Sequence, residues 1–203
     1  MRSLRLNGNR WIQAKKQRRV FVPSAFTHGF SAIALGGCAY PDARSWRFRF
    51  LAAFSAALPD IDVVGFAFGI PYGSMFGHRG FTHSLFFATV WALFVAVCVY
   101  PGVRRFSRPW WGLLGFFFLV TASHGILDAF TNGGLGVAFF APLSGRRYFF
   151  PWTPIQVSPI GGGFFGERGL RVMESELLWV WLPFAIAWLA ASLIRKSRVV
   201  SHK

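Results

Sequence analysis

Long apolar runs dominate this sequence and restrict its architecture. Residues 84–100 and 177–194 contain no charged side chain, and three further stretches are nearly as apolar. A helix needs about 20 mostly apolar residues to cross the hydrocarbon core of a bilayer. Charged residues make up only 14% of the chain, compared with roughly 25% in soluble domains. The sequence therefore predicts an integral membrane protein.

Five apolar segments are predicted to form the membrane-embedded part. They lie at about 24–40, 48–58, 84–100, 110–130 and 177–194, and the second extends to residue 70 if its helix continues past Asp60 and Asp62. We expect an all-α integral membrane protein, a bundle of about four to five transmembrane or re-entrant helices. The Gly- and Pro-rich residues 131–175 are expected to form a loop that caps one face of the bundle, because loops of this length are usually functional or disordered and its aromatic content argues against disorder.

The chain divides into three predicted parts. Residues 1–21 are a basic N-terminal extension, or they result from a start site assigned too early. Residues 22–195 form the membrane-embedded domain, which includes loop 131–175. Residues 196–203 are a basic C-terminal tail.

Most of the chain's histidines and aspartates lie within or at the ends of the apolar segments, where ionisable groups are costly. An aspartate at the centre of a membrane helix costs about 2.5–3.5 kcal/mol on insertion scales. Histidine nitrogen and carboxylate oxygen are also the ligands that suit zinc and similar divalent ions. The residues concerned are His28, Asp60, Asp62, His78, His83, His124 and Asp128. Their convergence predicts a metal site.

The local spacing of these residues supports shared sites. His124 and Asp128 are four residues apart, which places both on one face of a helix. Asp60 and Asp62 follow Pro59, which favours a turn or a helix start where both carboxylates can face one ion. Phe26-Thr27-His28 and Phe81-Thr82-His83 each open an apolar segment. A threonine N-cap would place each histidine in the first helical turn.

The formal net charge of +15 points to lipids rather than to nucleic acid. Basic residues flank the apolar segments, as expected for anchoring beside anionic lipids, so we expect the bilayer and no nucleic acid as a partner. The positive-inside rule places 41–49, 101–109 and 195–203 in the cytoplasm. The chain is then a multi-pass protein of the inner (plasma) membrane, with the candidate metal site on the extracytoplasmic face. The basic N-terminus conflicts with this orientation, so the inverted one stays open.

Four sequence blocks resemble the YdjM-type family of inner-membrane, LexA-regulated proteins, which are described as metal-dependent hydrolases. The blocks are Ser-Ala-Phe-Thr-His28-Gly, Leu-Pro-Asp60-Ile-Asp62, His78-Arg-Gly-Phe-Thr-His83-Ser and His124-Gly-Ile-Leu-Asp128. Pro142-Leu-Ser144 and the following Arg147-Tyr-Phe are similar to a later loop of the family. The resemblance covers about residues 22–195 and implies a membrane-embedded metal-dependent hydrolase.

The expected activity is attack of a metal-activated water on an ester or phosphoester, and the interfacial location suggests a lipid or lipid-linked substrate. The metal ligands are expected to be His28, Asp60, His78, His83 and His124, holding one or two divalent ions, with zinc favoured. Asp62 or Asp128 would act as the general base, and Arg79 would bind a substrate anion. The alternatives are a small transporter or a proton or metal-ion relay that uses the same cluster, and a structural or signalling protein with a bound metal. The oligomeric state stays open.

Overall fold

The computed structural model describes residues 21–22, 25–39, 45–159 and 166–201. Within these residues the chain forms six α-helices, with short 3-10 and π-helical pieces between or beyond them. The helices are α1 (Ala25–Ala39), α2 (Trp46–Ala57), α3 (Leu85–Phe94), α4 (Arg108–Ala129), α5 (Glu167–Glu176) and α6 (Leu182–Ser201). A two-residue antiparallel pair, β1 (Phe21–Val22) with β2 (Ser158–Pro159), is the only sheet in the described part.

Three stretches of helix are long and apolar enough to cross a membrane: Trp46–Phe68, Arg108–Ala129 and Gly169–Ile194. The helix Leu85–Val99, which is α3 with a π-helical end, is shorter. These elements confirm the predicted all-α membrane protein. The three-part division of the chain stays a prediction, and most of its N-terminal extension lies outside the described residues.

Helix α4 lies at the centre of the bundle. The C-terminal helix, by which we mean α5 and α6 with the π-helical turn between them, lies at its periphery. In the most apolar window of each span, 61% of Arg108–Ala129 is buried within the protein, but only 6% of Gly169–Ile194 is. Phe116 and Phe117 of α4 pack against Phe48 of α2. The fully buried Ala56 and Ala92 of this core are small enough to let helix backbones approach closely.

The second segment continues past Asp60 and Asp62, as its longer predicted extent has it. A 3-10 helix, Leu58–Phe68, starts at the end of α2 with Pro59 in its first turn and ends at Gly69, whose φ is 74°. Proline has no N–H for the helical ladder, and a 3-10 helix has three residues per turn. Asp60 and Asp62 are therefore about 120° apart around its axis, but both carboxylates approach Nδ1 of His78, at 3.9 and 2.7 Å.

The two threonines proposed as N-caps are not caps. Helix α1 already begins at Ala25, so Thr27 lies inside it. Ser84 caps α3, where its side chain accepts a hydrogen bond from the backbone N–H of Phe87. His83 ends a short 3-10 turn, Phe81–His83, just before α3. Both threonine hydroxyls instead make tertiary hydrogen bonds.

The stretch 131–175 is only partly a loop. Its last residues belong to α5, which begins at Glu167 and continues through a π-helical turn, Leu177–Trp181, into α6. Loop residues contact the ends of other elements: Ala138 donates a backbone hydrogen bond to the carbonyl of Arg79, and Leu85 donates one to Phe139. Residues 132–139 therefore pack beside the start of α3.

Candidate metal centre

Six predicted ligands or catalytic residues meet at one end of the bundle. They come from five parts of the chain: His28 from the start of α1, Asp60 from the 3-10 helix after α2, His78 from the following loop, His83 from the turn before α3, and His124 with Asp128 from the last turns of α4. Three overlapping groups could each hold an ion: His28–Asp60–His124, Asp60–His78–His83 and His83–His124–Asp128. We call these six residues the His/Asp centre.

The distances between ligand atoms suit a shared cation. Nε2 of His124 lies 3.2 Å from Oδ1 of Asp60, and Nε2 of His83 lies 3.6 Å from the same oxygen. Nε2 of His83 also lies 3.2 Å from Oδ2 of Asp128. Two ligands bound tetrahedrally to one zinc at about 2.05 Å lie about 3.3 Å apart. The observed spacing therefore matches ligands directed at a common ion.

Hydrogen bonding within the protein leaves these atoms unsatisfied. The following buried atoms have no hydrogen-bond partner: both ring nitrogens of His28, Nε2 of His78, His83 and His124, Oδ1 of Asp60, and Oδ1 of Asp128. Oδ2 of Asp128 is ion-paired with Arg79. The short contacts of His83 and His124 with Asp60 and Asp128 therefore do not have the geometry of hydrogen bonds. A buried polar group without a partner costs about 1–3 kcal/mol. A cation would satisfy the facing nitrogens and oxygens together, so the residues present fit a metal.

The charge of the centre also favours a cation. Burial disfavours a protonated ring at His83, but the nearby carboxylates of Asp62, Asp128 and Asp60 outweigh it and raise the pKa of His83 well above its usual value. A site in which negative charge holds a proton on a buried imidazole would also attract a metal ion.

The ring of His124 is oriented from behind by the backbone. Its Nδ1 lies 2.6 Å from the carbonyl oxygen of Ala56, the penultimate residue of α2. A carbonyl can only accept, so Nδ1 donates its proton to Ala56 and Nε2 is directed at the centre. Metal-binding histidines commonly donate their other ring N–H in this way.

Asp62 lies beside two histidines rather than among the metal-ligand groups. Its Oδ2 is 3.1 Å from Nδ1 of His83, and its Oδ1 is 2.7 Å from Nδ1 of His78. Its Oδ2 also accepts hydrogen bonds from the Thr82 hydroxyl at 2.6 Å and from the backbone N–H of Arg79 at 3.2 Å. Asp60 approaches the same nitrogen of His78 at 3.9 Å, but Asp62 belongs to none of the three ligand groups.

His78 and His28 occupy different positions at the centre. His78 directs Nδ1 toward the carboxylates, 2.7 Å from Asp62 and 3.9 Å from Asp60. The ring of His28 stacks on that of His124 with their centroids 3.7 Å apart. This stack brings His28 into the group that contains Asp60 and His124.

Arg79 links the centre to the long loop. Its backbone adopts a φ of 59°, which is uncommon outside glycine, and its side chain is fully buried. Nε lies 2.9 Å from Oδ2 of Asp128, and the guanidinium donates a 2.8 Å hydrogen bond to the carbonyl of Gly133. A Cβ on Gly134 would lie 2.8 Å from Arg79. The predicted anion-binding residue is therefore held between α4 and the loop.

Arg147 is a functional candidate that sequence reasoning did not single out. Its guanidinium donates to four backbone carbonyls, those of His78, Gly136, Tyr72 and Ser74, at 2.9–3.2 Å. It also lies over the ring of Tyr72, and burial lowers its pKa. Arg147 thus joins the loop that carries His78 to the 131–148 segment. The family-like Arg147-Tyr-Phe block was the one sequence signal that pointed here.

Comparison with known proteins identifies related membrane proteins. A family model described as YdjM inner membrane protein matches residues 24–199. Inner membrane protein YbcI of Escherichia coli (strain K12) is 41% identical over 166 residues, which cover 80% of this chain and 92% of that protein. No solved structure gives a significant match. The matches confirm the sequence resemblance, and together with the three apolar spans they show a multi-pass inner membrane protein.

Proposed function

This chain belongs to the YdjM family of inner membrane proteins, and we propose that it is a metal-dependent hydrolase that cleaves an ester or phosphoester of a lipid or lipid-linked molecule. One observation carries the proposal. The His/Asp centre contains several buried nitrogen and oxygen atoms at ligand spacing that no protein group satisfies, while the other edges of His83 and His124 are held by Asp62 and by a backbone carbonyl.

The overlap of the three ligand groups suits one or two ions. Asp60 is common to two groups and His83 to two, so two neighbouring cations could share them. We propose His28, Asp60, His78, His83 and His124 as the ligand set, with zinc favoured by its nitrogen and oxygen donors. A bound divalent cation would supply an acidified water and polarise the scissile ester.

The two carboxylates expected to act as bases have different surroundings. Asp62 contacts two imidazoles and accepts two further hydrogen bonds, so we now propose that it orients His78 and His83. Oδ1 of Asp128 has no hydrogen-bond partner, whereas Oδ2 is ion-paired with Arg79 at 2.9 Å. We propose that Asp128 accepts the proton of the attacking water through Oδ1.

Arg79 is proposed to bind the substrate anion through its remaining N–H groups. One guanidinium nitrogen, NH2, is buried and has no hydrogen-bond partner. Because the side chain is fully buried, an anion would reach it only beneath the loop around Gly133. The exposed edge of the centre is Asp60, whose side chain is 18% exposed, and we propose that substrate enters there.

An apolar groove supports a lipid substrate. It has a volume of about 590 Å³ and lies between α1 and the C-terminal helix, where Phe30, Leu178, Trp181 and Ala185 are among its lining residues. None of the residues of the His/Asp centre lines it, but Phe30 follows His28 by two positions. We propose that an acyl chain can lie there while the polar part of the lipid reaches the centre.

The centre lies at the end of the helices opposite to the basic residues Arg47, Arg49 and Arg108. The positive-inside rule would put those residues in the cytoplasm. We therefore propose that the centre faces the extracytoplasmic side.

A proton or metal-ion relay is the second candidate function. The observation that favours it is the full burial of His124 and Asp128 within a membrane span, since such residues often mark ion pathways. Transport would require ions to cross the bilayer, whereas the described ligands gather at one end of the spans.

The test combines metal content with turnover. Detergent-purified protein would be analysed for zinc, manganese and iron, and assayed against bis-p-nitrophenyl phosphate, p-nitrophenyl acetate and phosphatidic acid in micelles. We expect chelator-sensitive hydrolysis that Asp60→Asn abolishes and that the exposed-site control Arg171→Gln retains. Bound metal without hydrolysis of any of these probes, but with metal flux into liposomes, would favour transport. Bound metal with neither activity would favour a structural role.

A further inference from the structure

The C-terminal helix carries a buried acid that the proposed chemistry does not use. Glu176 is the last residue of α5 and lies within the span Gly169–Ile194. Only 1% of its surface is exposed, and it lies on the buried stripe of its helix between Val172 and Val180. Ionisable groups retained inside membrane spans usually have a specific partner and a function.

The partner of Glu176 is on α1, 149 positions earlier in the chain. The hydroxyl of Thr27 donates a 2.7 Å hydrogen bond to Oε2 of Glu176, and the indole N–H of Trp181 donates a 2.7 Å hydrogen bond to the same hydroxyl. The ring of Trp181 also stacks on Phe30, one turn further along α1. The hydroxyl of Thr27 thus ties α1 to the C-terminal helix.

The π-helical turn Leu177–Trp181 makes this arrangement possible. On an α-helix, residues five apart are separated by about 140°, so Glu176 and Trp181 could not both face Thr27. In the observed turn the backbone N–H of Leu182 bonds to the carbonyl of Leu177, five residues earlier. This wider turn brings residues five apart close to one face, and π-helical turns of this kind recur at functional sites.

Thr27 immediately precedes His28, which differs from two other histidines of the centre. His83 and His124 are oriented through Nδ1 by Asp62 and by the Ala56 carbonyl. His28 has no hydrogen bond on either ring nitrogen, so its place beside His124 depends on its stacking contact and on the position of α1. Glu176 and Trp181 contact α1 at the residue before His28, while the other side of α1 packs against α2, where a Cβ on Gly29 would lie 3.8 Å from Ala53.

We propose that Glu176 is a positioning residue for the metal centre: through Thr27 it holds α1 so that His28 lies against His124 and completes the ligand set. This inference rests on the proposed metal binding. It makes the C-terminal helix part of the centre even though that helix contributes no ligand.

The test measures Co²⁺ binding by detergent-purified, metal-stripped full-length protein, through both the dissociation constant and the visible spectrum of the bound ion. Thr27→Val removes the hydroxyl and preserves the side-chain shape, and Glu176→Leu removes the acceptor. Each is expected to weaken Co²⁺ binding by about 10–100-fold, as for other groups that orient ligands, and to shift the spectrum as His28→Ala does. The conservative variants Thr27→Ser and Glu176→Gln, which keep a hydroxyl and an acceptor oxygen, are expected to restore wild-type binding.

Two further comparisons separate positioning from general destabilisation. Arg171→Leu, on an exposed position of the same helix, is expected to leave the affinity and spectrum unchanged. Adding Glu176→Leu to His28→Ala is expected to cause little further loss, because the two changes act on the same ligand. The inference is overturned if Thr27→Val and Glu176→Leu bind Co²⁺ like wild type while His28→Ala binds it more weakly. A wild-type protein that binds no Co²⁺, Zn²⁺ or Mn²⁺ would overturn the metal centre itself.

Discussion

Oδ2 of Asp62 lies 3.1 Å from Nδ1 of His83, on the ring nitrogen opposite the one that approaches Asp60 and Asp128. The carboxylate thereby favours the ring orientation in which Nε2 serves the centre. Such contacts are common behind metal-binding histidines, and they increase the basicity of the ligand. The relationship explains why a residue that does not contact the proposed ion should still control its affinity.

Replacement of Asp62 by Asn is expected to weaken metal binding without removing a ligand. The amide keeps the size of the side chain but loses the charge that orients His78 and His83, and such changes cost about 10–100-fold in affinity. Competition with a chromophoric chelator would measure the dissociation constant, with Asp60→Asn as the reference for loss of a ligand. Wild-type affinity in Asp62→Asn would contradict the orienting role.

Breaking the buried pair of Arg79 and Asp128 is expected to destabilise the metal-free protein. Arg79→Met leaves a buried carboxylate uncompensated, and such changes cost about 3–5 kcal/mol. Reversible unfolding in mixed micelles, followed by tryptophan fluorescence in the presence of a chelator, would measure the change. Adding Asp128→Asn should recover part of the loss, because the unpaired charge is then removed. Additive losses would argue against a functional pair.

Gly134→Ala is expected to disturb the packing around the Arg79 side chain. Gly134 has a φ of 91°, and a Cβ there would lie 2.8 Å from the Arg79 guanidinium and 2.8 Å from the Tyr72 hydroxyl. Backbone strain of this kind costs about 1–3 kcal/mol. The matched control is Gly145→Ala in the same loop, where a Cβ meets nothing within 4 Å. Equal unfolding free energies for the two variants would contradict the close packing around Arg79.

Arg147→Lys is expected to loosen the contact between the two loops. A lysine ammonium cannot reproduce the planar fork that donates to four carbonyls, and each lost hydrogen bond to a charged group is worth about 1.5–3 kcal/mol. Limited proteolysis of residues 69–78 should accelerate, and the free energy of unfolding should fall. The neighbouring Arg146 is exposed, so Arg146→Lys should change neither quantity.

The local sequence pattern was sufficient to predict much of the fold and part of the His/Asp centre. Apolar runs located the membrane helices, because the bilayer fixes their length and composition. The four-residue spacing of His124 and Asp128 placed both at the centre, since α4 is a regular helix. Pro59 predicted a turn or a helix start, and it lies in the first turn of a 3-10 helix, but the spacing of Asp60 and Asp62 did not reveal which neighbours each carboxylate contacts.

The residues that the sequence pattern did not reveal act through contacts with residues far away in the chain. Glu176 ends an amphipathic helix and resembles an ordinary interfacial acid, yet it pairs with a threonine on the first helix. Arg147 lies in a stretch with the composition of a surface loop, but its guanidinium donates to the carbonyls of residues about 70 positions earlier in the chain. Neither contact leaves a periodic signal, so only the packed structure reveals it.

The ligands of the His/Asp centre lie far apart in the chain, so they are synthesised at different times. Its ligands extend from residue 28 to residue 128, and Glu176 follows later still. A ribosome adding about 5–20 residues per second needs about 5–20 s to synthesise those 100 residues. At that rate Asp60 is synthesised about 3–14 s before Asp128. The ligands of the centre can therefore come together only after α4 has been synthesised.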